Sequence, residues 1–203
     1  MAQSMLRNPR LRLVLWSLVI LLLAAIGFAQ ARPYLWPPAR VLGMTGKPFS
    51  LQSTEGTRFT ESSLNGVPSL LFFGYSSCPD ACPTTLASLS AYREQLKLAP
   101  ADLRIVFATV DPARDTIPVL KTYLAGFGTP IIGLSGTTDE VEAAKTAFGV
   151  YSKKGPDDGS GSYSVDHTAT VYLLDKQGAF ESTITFGEES KVAMEKIKRL
   201  VGS

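Results

Sequence analysis

The chain has 203 residues, 45% of them hydrophobic and 19% charged, with a formal net charge of +2. This composition suits one globular domain plus a short accessory segment and excludes a disordered polyelectrolyte. The basic residues form no stripe of the kind nucleic-acid phosphates require, and two cysteines are too few for a disulfide-stapled scaffold.

Leu13 to Ala29 is an apolar run without charge, preceded by Arg7, Arg10 and Arg12. At 1.5 Å per residue it spans roughly 25 Å, the short end of what crosses a bilayer. The basic flank marks the cytoplasmic side. Residues 1–31 are therefore expected to be a cytoplasmic N-terminus and a single transmembrane helix in a bacterial inner membrane, with the remainder in the periplasm. Ala29-Gln30-Ala31 also fits a signal-peptide cleavage site, but the run exceeds the usual signal length, which favours an uncleaved anchor. Residues 32–47 read as a tether. Pro33, Pro37 and Pro38 resist helix, and Tyr34 and Trp36 suit a membrane interface.

Residues 48–203 alternate short apolar runs with helical patterns. Phe49–Leu51 and Arg58–Thr60 flank Thr54-Glu55-Gly56 as a hairpin, and Ser69–Gly74 reads as a buried strand. Leu86, Leu89 and Leu96 share one helical face. Leu103–Val110 is a second buried strand, followed by a helix over Thr116–Ala125 capped by Asp115 or Thr116. Pro130–Leu134 is a short strand. Thr138–Phe148 is a helix begun by Thr138 or Asp139 and stopped at Gly149. Tyr151–Asp166 reads as a long polar loop, with His167 beginning the next strand. Thr168–Leu174 and Ala179–Thr185 bracket Asp175-Lys176-Gln177-Gly178 as a hairpin, and Glu188–Val201 is a closing amphipathic helix. This order predicts an α/β domain of thioredoxin-like layout, with a mostly parallel sheet and an N-terminal β-hairpin extension.

Cys78 and Cys82 fall between a strand end and a helix start, with Pro83 in the first turn. That placement predicts a thiolate at Cys82, favoured by the helix dipole. Four residues apart, the two sulfurs could chelate one ion or close a disulfide. The lone histidine, His167, begins a strand expected beside the one leading to Cys78, which would complete a Cys₂His set. Such donors suit Cu(I), can hold Cu(II) and could hold zinc. Structural zinc normally takes four protein ligands, which favours copper. Asp111 and Asp115 sit past a strand end as turn and capping residues, with partner docking or holding Arg114 as the functional option. Asp166 is expected to face solvent or to orient His167.

The stretches Cys78-Pro79-Asp80-Ala81-Cys82-Pro83, Asp111-Pro112-Ala113-Arg114-Asp115-Thr116 and Val165-Asp166-His167-Thr168 resemble the Sco/SenC family, collinearly and over about residues 42–201. Thr84 stands where some members carry an acidic residue. The resemblance implies a copper metallochaperone, not an enzyme, that takes copper from a donor chaperone. It implies delivery to the CuA-bearing subunit of cytochrome c oxidase, with Cys78, Cys82 and His167 as ligands. It also implies thiol-redox chemistry at the Cys78–Cys82 pair, so reduction of the target's cysteines is a further expectation.

Two enzymes compete on the same fold. A periplasmic thiol–disulfide oxidoreductase would use the cysteine pair, but the spacing is C-x-x-x-C rather than C-x-x-C, and residues 160–170 contain no proline. A peroxidase of the peroxiredoxin kind would need Pro and Thr or Ser where Leu71 and Tyr75 stand.

Overall fold

The computed structural model describes residues 9–35, 44–156 and 163–202, and the chain divides into two units between Arg40 and Val41. In the first unit a helix, α1, runs over Pro9–Leu35, and its described side chains, 13–28, are exposed. It continues past Ala31 and through Pro33 into the stretch read as a tether; 36–43 lie outside the described residues. The expected transmembrane helix is not borne out: among the described residues no helix is long and apolar enough to cross a membrane.

The second unit is built on a seven-stranded sheet of order β2-β1-β5-β4-β3-β8-β9. Its strands are β1 (Ser50–Ser53), β2 (Arg58–Thr60), β3 (Ser69–Gly74), β4 (Arg104–Thr109), β5 (Ile132–Ser135), β8 (Thr170–Leu174) and β9 (Phe180–Thr185). β3 is buried along its whole length, as expected of the uninterrupted run Leu70–Phe73. The sheet is mixed rather than mostly parallel. β3, β4 and β5 are parallel, because a helical crossover leads from β3 to β4 and another from β4 to β5; β1 joins β5, and β8 joins β3, antiparallel.

The helices of this unit are α2 (Ala81–Gln95), α3 (Ile117–Ala125), α4 (Thr138–Phe148) and α5 (Ser190–Gly202). α3 packs on β5, α4 on β1, and α5 on β8 and β9. α4 covers the expected Thr138–Phe148, but its cap lies one residue ahead of the two residues read as starting it. Thr137 is the N-cap, its hydroxyl accepting from the Glu140 N–H while the Glu140 carboxylate accepts from the Thr137 N–H, a capping box. Gly149 ends this helix at φ 65°, where a side chain would be strained.

The stretch read as a polar loop contains two strands. β6 (Ser152–Lys154) pairs antiparallel with β7 (Val165–His167) as a separate two-stranded ladder, with Ser152 opposite His167. Residues 157–162 lie outside the described residues. His167 therefore ends a strand instead of beginning one.

Candidate metal centre

β3 delivers the chain to the site. Beyond Gly74 the backbone turns at Tyr75, whose carbonyl accepts from the Cys78 N–H at 3.2 Å, and α2 starts at Ala81. The N-cap residue, Asp80, gives α2 no side-chain cap. The Cys78 sulfur takes that place, lying 3.5 Å from the Cys82 N–H. A sulfur there meets the positive end of the helix and its unpaired N–H groups.

The two thiols differ in consequence. Burial pushes the Cys78 thiol up, but the N–H groups of Cys82 and Asp80, with the Cys82 thiol and the Tyr75 hydroxyl, draw it below its ordinary value. Cys82 is fully buried, and burial pushes its thiol well up, with the neighbouring Cys78 adding to the effect. The more readily ionised sulfur is thus Cys78 and not, as expected, Cys82, because the dipole argument ignored the cost of charging a buried sulfur. Both cysteines are free thiols.

His167 supplies the third donor. Its Nδ1 lies 3.1 Å from the Thr168 carbonyl oxygen, an acceptor only, so Nδ1 carries the proton and Nε2 keeps its lone pair. Nε2 lies 3.5 Å from Cys82 Sγ. Burial lowers the imidazole's proton affinity, against the Thr168 carbonyl and the Asp166 charge. Tyr75 and Phe72 meet the ring edge-on, with centroids at 5.8 and 6.1 Å. The Cys78, Cys82 and His167 donor atoms all lie within 4.8 Å of one another. Two sulfurs and one imidazole nitrogen at that separation fit a soft or borderline cation such as copper.

The aspartates separate by role. Asp115 is fully buried and accepts from the Ser76 N–H (3.0 Å), the Ser76 hydroxyl (2.5 Å) and the Thr109 hydroxyl (2.7 Å). It pins the loop two residues ahead of Cys78 and makes no side-chain cap for α3, whose N-cap is Thr116. Asp111 holds Arg114 through Nε at 2.5 Å and accepts from the Tyr163 hydroxyl at 2.9 Å. Asp166 is exposed, pointing away from its neighbour as strand alternation requires.

Two residues went unnoticed in the sequence. Gly74 is one: a Cβ there would lie 2.7 Å from Cys82 Sγ and 2.8 Å from the Phe107 ring, so the buried sulfur needs a glycine opposite. A glycine closing an otherwise bulky strand was the available signal. Tyr163 is the other, and no local pattern marked it.

Comparison with known proteins agrees with this geometry. The SCO1/SenC family profile matches residues 39–202. Mitochondrial protein SCO1 of Saccharomyces cerevisiae is 39% identical over 160 residues, 78% of this chain and 54% of its own length. A SCO2-like protein of Rickettsia prowazekii is 36% identical over 154 residues, 75% of each chain. The chain spans about half the length of the two yeast relatives it matches. Among solved structures, ScoI of Bradyrhizobium japonicum with copper bound superposes with a TM-score of 0.68 at 40% identity, over 77% of this chain and 99% of that one. Copper-bound yeast Sco1 gives 0.70 at 36% identity, over 79% and 90%. The mixed α/β domain is that of these thioredoxin-like Sco structures.

Proposed function

This chain belongs to the SCO1/SenC family, and on that premise we propose that it is a copper metallochaperone, not an enzyme, holding one copper ion on Cys78, Cys82 and His167. The observation that carries this reading is the convergence of two thiols and a lone-pair nitrogen within 4.8 Å. Each donor has a definite task. Cys78 gives up its proton readily at the helix start. Cys82, buried, gives up its proton when a cation replaces it, so loading releases protons and weakens in acid. His167 offers Nε2 without a prior deprotonation. The cargo then passes by stepwise ligand exchange, first to the CuA-bearing subunit's competing donors. A copper donor chaperone loads the site in the reverse sense. The set suits Cu(I) as cargo and can also hold Cu(II), since it is soft with one borderline nitrogen.

The run Leu13–Ala29 and its basic flank support a further part of the proposal. The N-terminal helix anchors the domain, with 36–43 between them, at the periplasmic face of a bacterial inner membrane.

A second reading is favoured by the asymmetry of the thiols. An accessible sulfur with lowered proton affinity beside a buried one with raised affinity suits attack and resolution in disulfide exchange. Cys78 thiolate would attack a target disulfide. Cys82 would then displace the mixed disulfide, losing its proton, to leave a reduced target and a Cys78–Cys82 bridge. Among the described residues there is no cis peptide bond opposite the cysteines, where thioredoxin-type reductases carry a cis-proline.

Anaerobic titration of the reduced chain with Cu(I) against a competing chelator separates the readings. One tightly held copper per chain, weakened at least tenfold by Cys78→Ala, Cys82→Ala and His167→Ala alike, is expected. No competitive binding, with rapid exchange on model disulfides, would transfer the assignment to the reductase.

A further inference from the structure

The structure assigns Tyr163 as a positioning residue for His167: clamped by Asp111, Arg114 and Lys154, it fixes the β6–β7 hairpin so that the imidazole faces the two sulfurs. His167 sits at the end of β7 and owes its place to that hairpin. Of the two polar contacts of its ring, the one to the Thr168 carbonyl is local and sets only the tautomer, and the one to Cys82 Sγ is long, at 3.5 Å. β8 begins three residues later, at Thr170, and its pairing with β3 starts at Val171. Something must therefore hold the other side.

Tyr163 lies four residues before His167, just ahead of β7. Its hydroxyl donates to Asp111 Oδ1 at 2.9 Å. Its ring takes the Arg114 guanidinium at 3.7 Å from the centroid and the Lys154 ammonium at 3.6 Å. Lys154 belongs to β6 and pairs with Val165, so one aromatic ring joins both strands of the hairpin to the β4–α3 turn. That turn is rigid. Asp111 is buried and holds Arg114 through its second oxygen, while Asp115 ties the same turn to Ser76 beside Cys78. Arg114 also lies over Tyr75, at 5.5 Å, and Tyr75 touches the His167 ring. The hairpin and the cysteine loop are thereby referred to one turn, Asp111 to Asp115. Cation–π contacts of this kind strengthen when partly desolvated, and Arg114 is mostly covered.

The inference rests on the copper reading for its consequence but not for its geometry, so two readouts are needed. In the full chain without metal, Tyr163→Ala should raise amide hydrogen exchange across Val165–His167 at least tenfold while β3 and β4 stay protected. Tyr163→Phe, which keeps the ring between its cations, should restore most of that protection. With Cu(I) under chelator competition, Tyr163→Ala should weaken binding about tenfold, as outer residues that orient a ligand do. The same substitution in a His167→Ala background should cost nothing more, because it acts through the imidazole. With Cu(II), the nitrogen hyperfine splitting of the wild type should fade in Tyr163→Ala. Unchanged exchange in the hairpin, or an equal loss of affinity with and without His167, would overturn the assignment. If wild type bound no copper, the copper reading would fail, and the exchange measurement alone would decide on the clamp.

Discussion

Cys78 and Cys82 are four residues apart and chemically opposed. Cys78 is partly exposed and its sulfur accepts from the first turn of α2; Cys82 is fully buried, its sulfur beside Gly74. In the reduced, metal-free protein, iodoacetamide should modify Cys78 first, with a reaction midpoint below the ordinary thiol value of 9.0, and should reach Cys82 only on unfolding. Peptide mapping over a pH series checks this, and equal rates at the two positions would contradict it. The donor set itself was legible in the sequence because its members are scarce: two cysteines and one histidine leave few combinations. Which sulfur carries the charge was not legible. That depends on burial, which Cys82 acquires only when its helix packs into the core. Asp115 was read as a cap for the same reason, since its partners, Ser76 and Thr109, become neighbours only when β3 and β4 align.

At the scale of elements, α4 offers a clean test of how its start is held. The Glu140 carboxylate accepts from the Thr137 N–H and meets Arg58 at 2.5 Å, and these hold it below the usual carboxylate range. A lowered folded-state affinity for protons means that the ionised group stabilises the fold above its unfolded value of 4.5. That contribution is lost as pH falls through the folded value. Glu140→Gln should therefore lower stability at neutral pH by less than about 1 kcal/mol, the pair being largely solvated, and the gap should close at a pH below the folded value. Urea unfolding at both pH values measures it; a gap that persists in acid would mean the carboxylate's charge is not what matters. Most elements were legible from periodicity, because β3, β4 and the helices are long enough to show it. The β6–β7 hairpin was not. Its strands have three residues each, too few to reveal alternation, and the Gly- and Ser-rich stretch between them reads as loop. Arg93 was likewise missed as a core residue. Its buried guanidinium is satisfied by the carbonyls of Leu103 and Pro130 and the Thr129 hydroxyl, partners that no local pattern names.

For the molecule as a whole, the three donors come together only when β3 has paired with β8 and the hairpin has settled. Copper held by this set binds the native state and not the unfolded chain, so it stabilises by mass action. At a free concentration a hundredfold above its dissociation constant it should add about 2.7 kcal/mol. The melting temperature should rise with Cu(I) concentration, fall back on chelation, and rise far less in His167→Ala. A rise of equal size in that variant would mean copper is held elsewhere. The overall α/β layout was legible from the order of elements. The sheet order was not: that β1 would join β5, or β8 would flank β3, is decided by long-range packing.

The strand order also carries a consequence in time. Ribosomes deliver Cys82 well before His167, 85 residues later, an interval of several seconds at roughly 5–20 residues per second. Until β8 is made, β3 has at most β4 on one side, and its other edge, the place β8 will fill, stays open. The growing polypeptide thus presents both sulfurs to its surroundings before the imidazole exists.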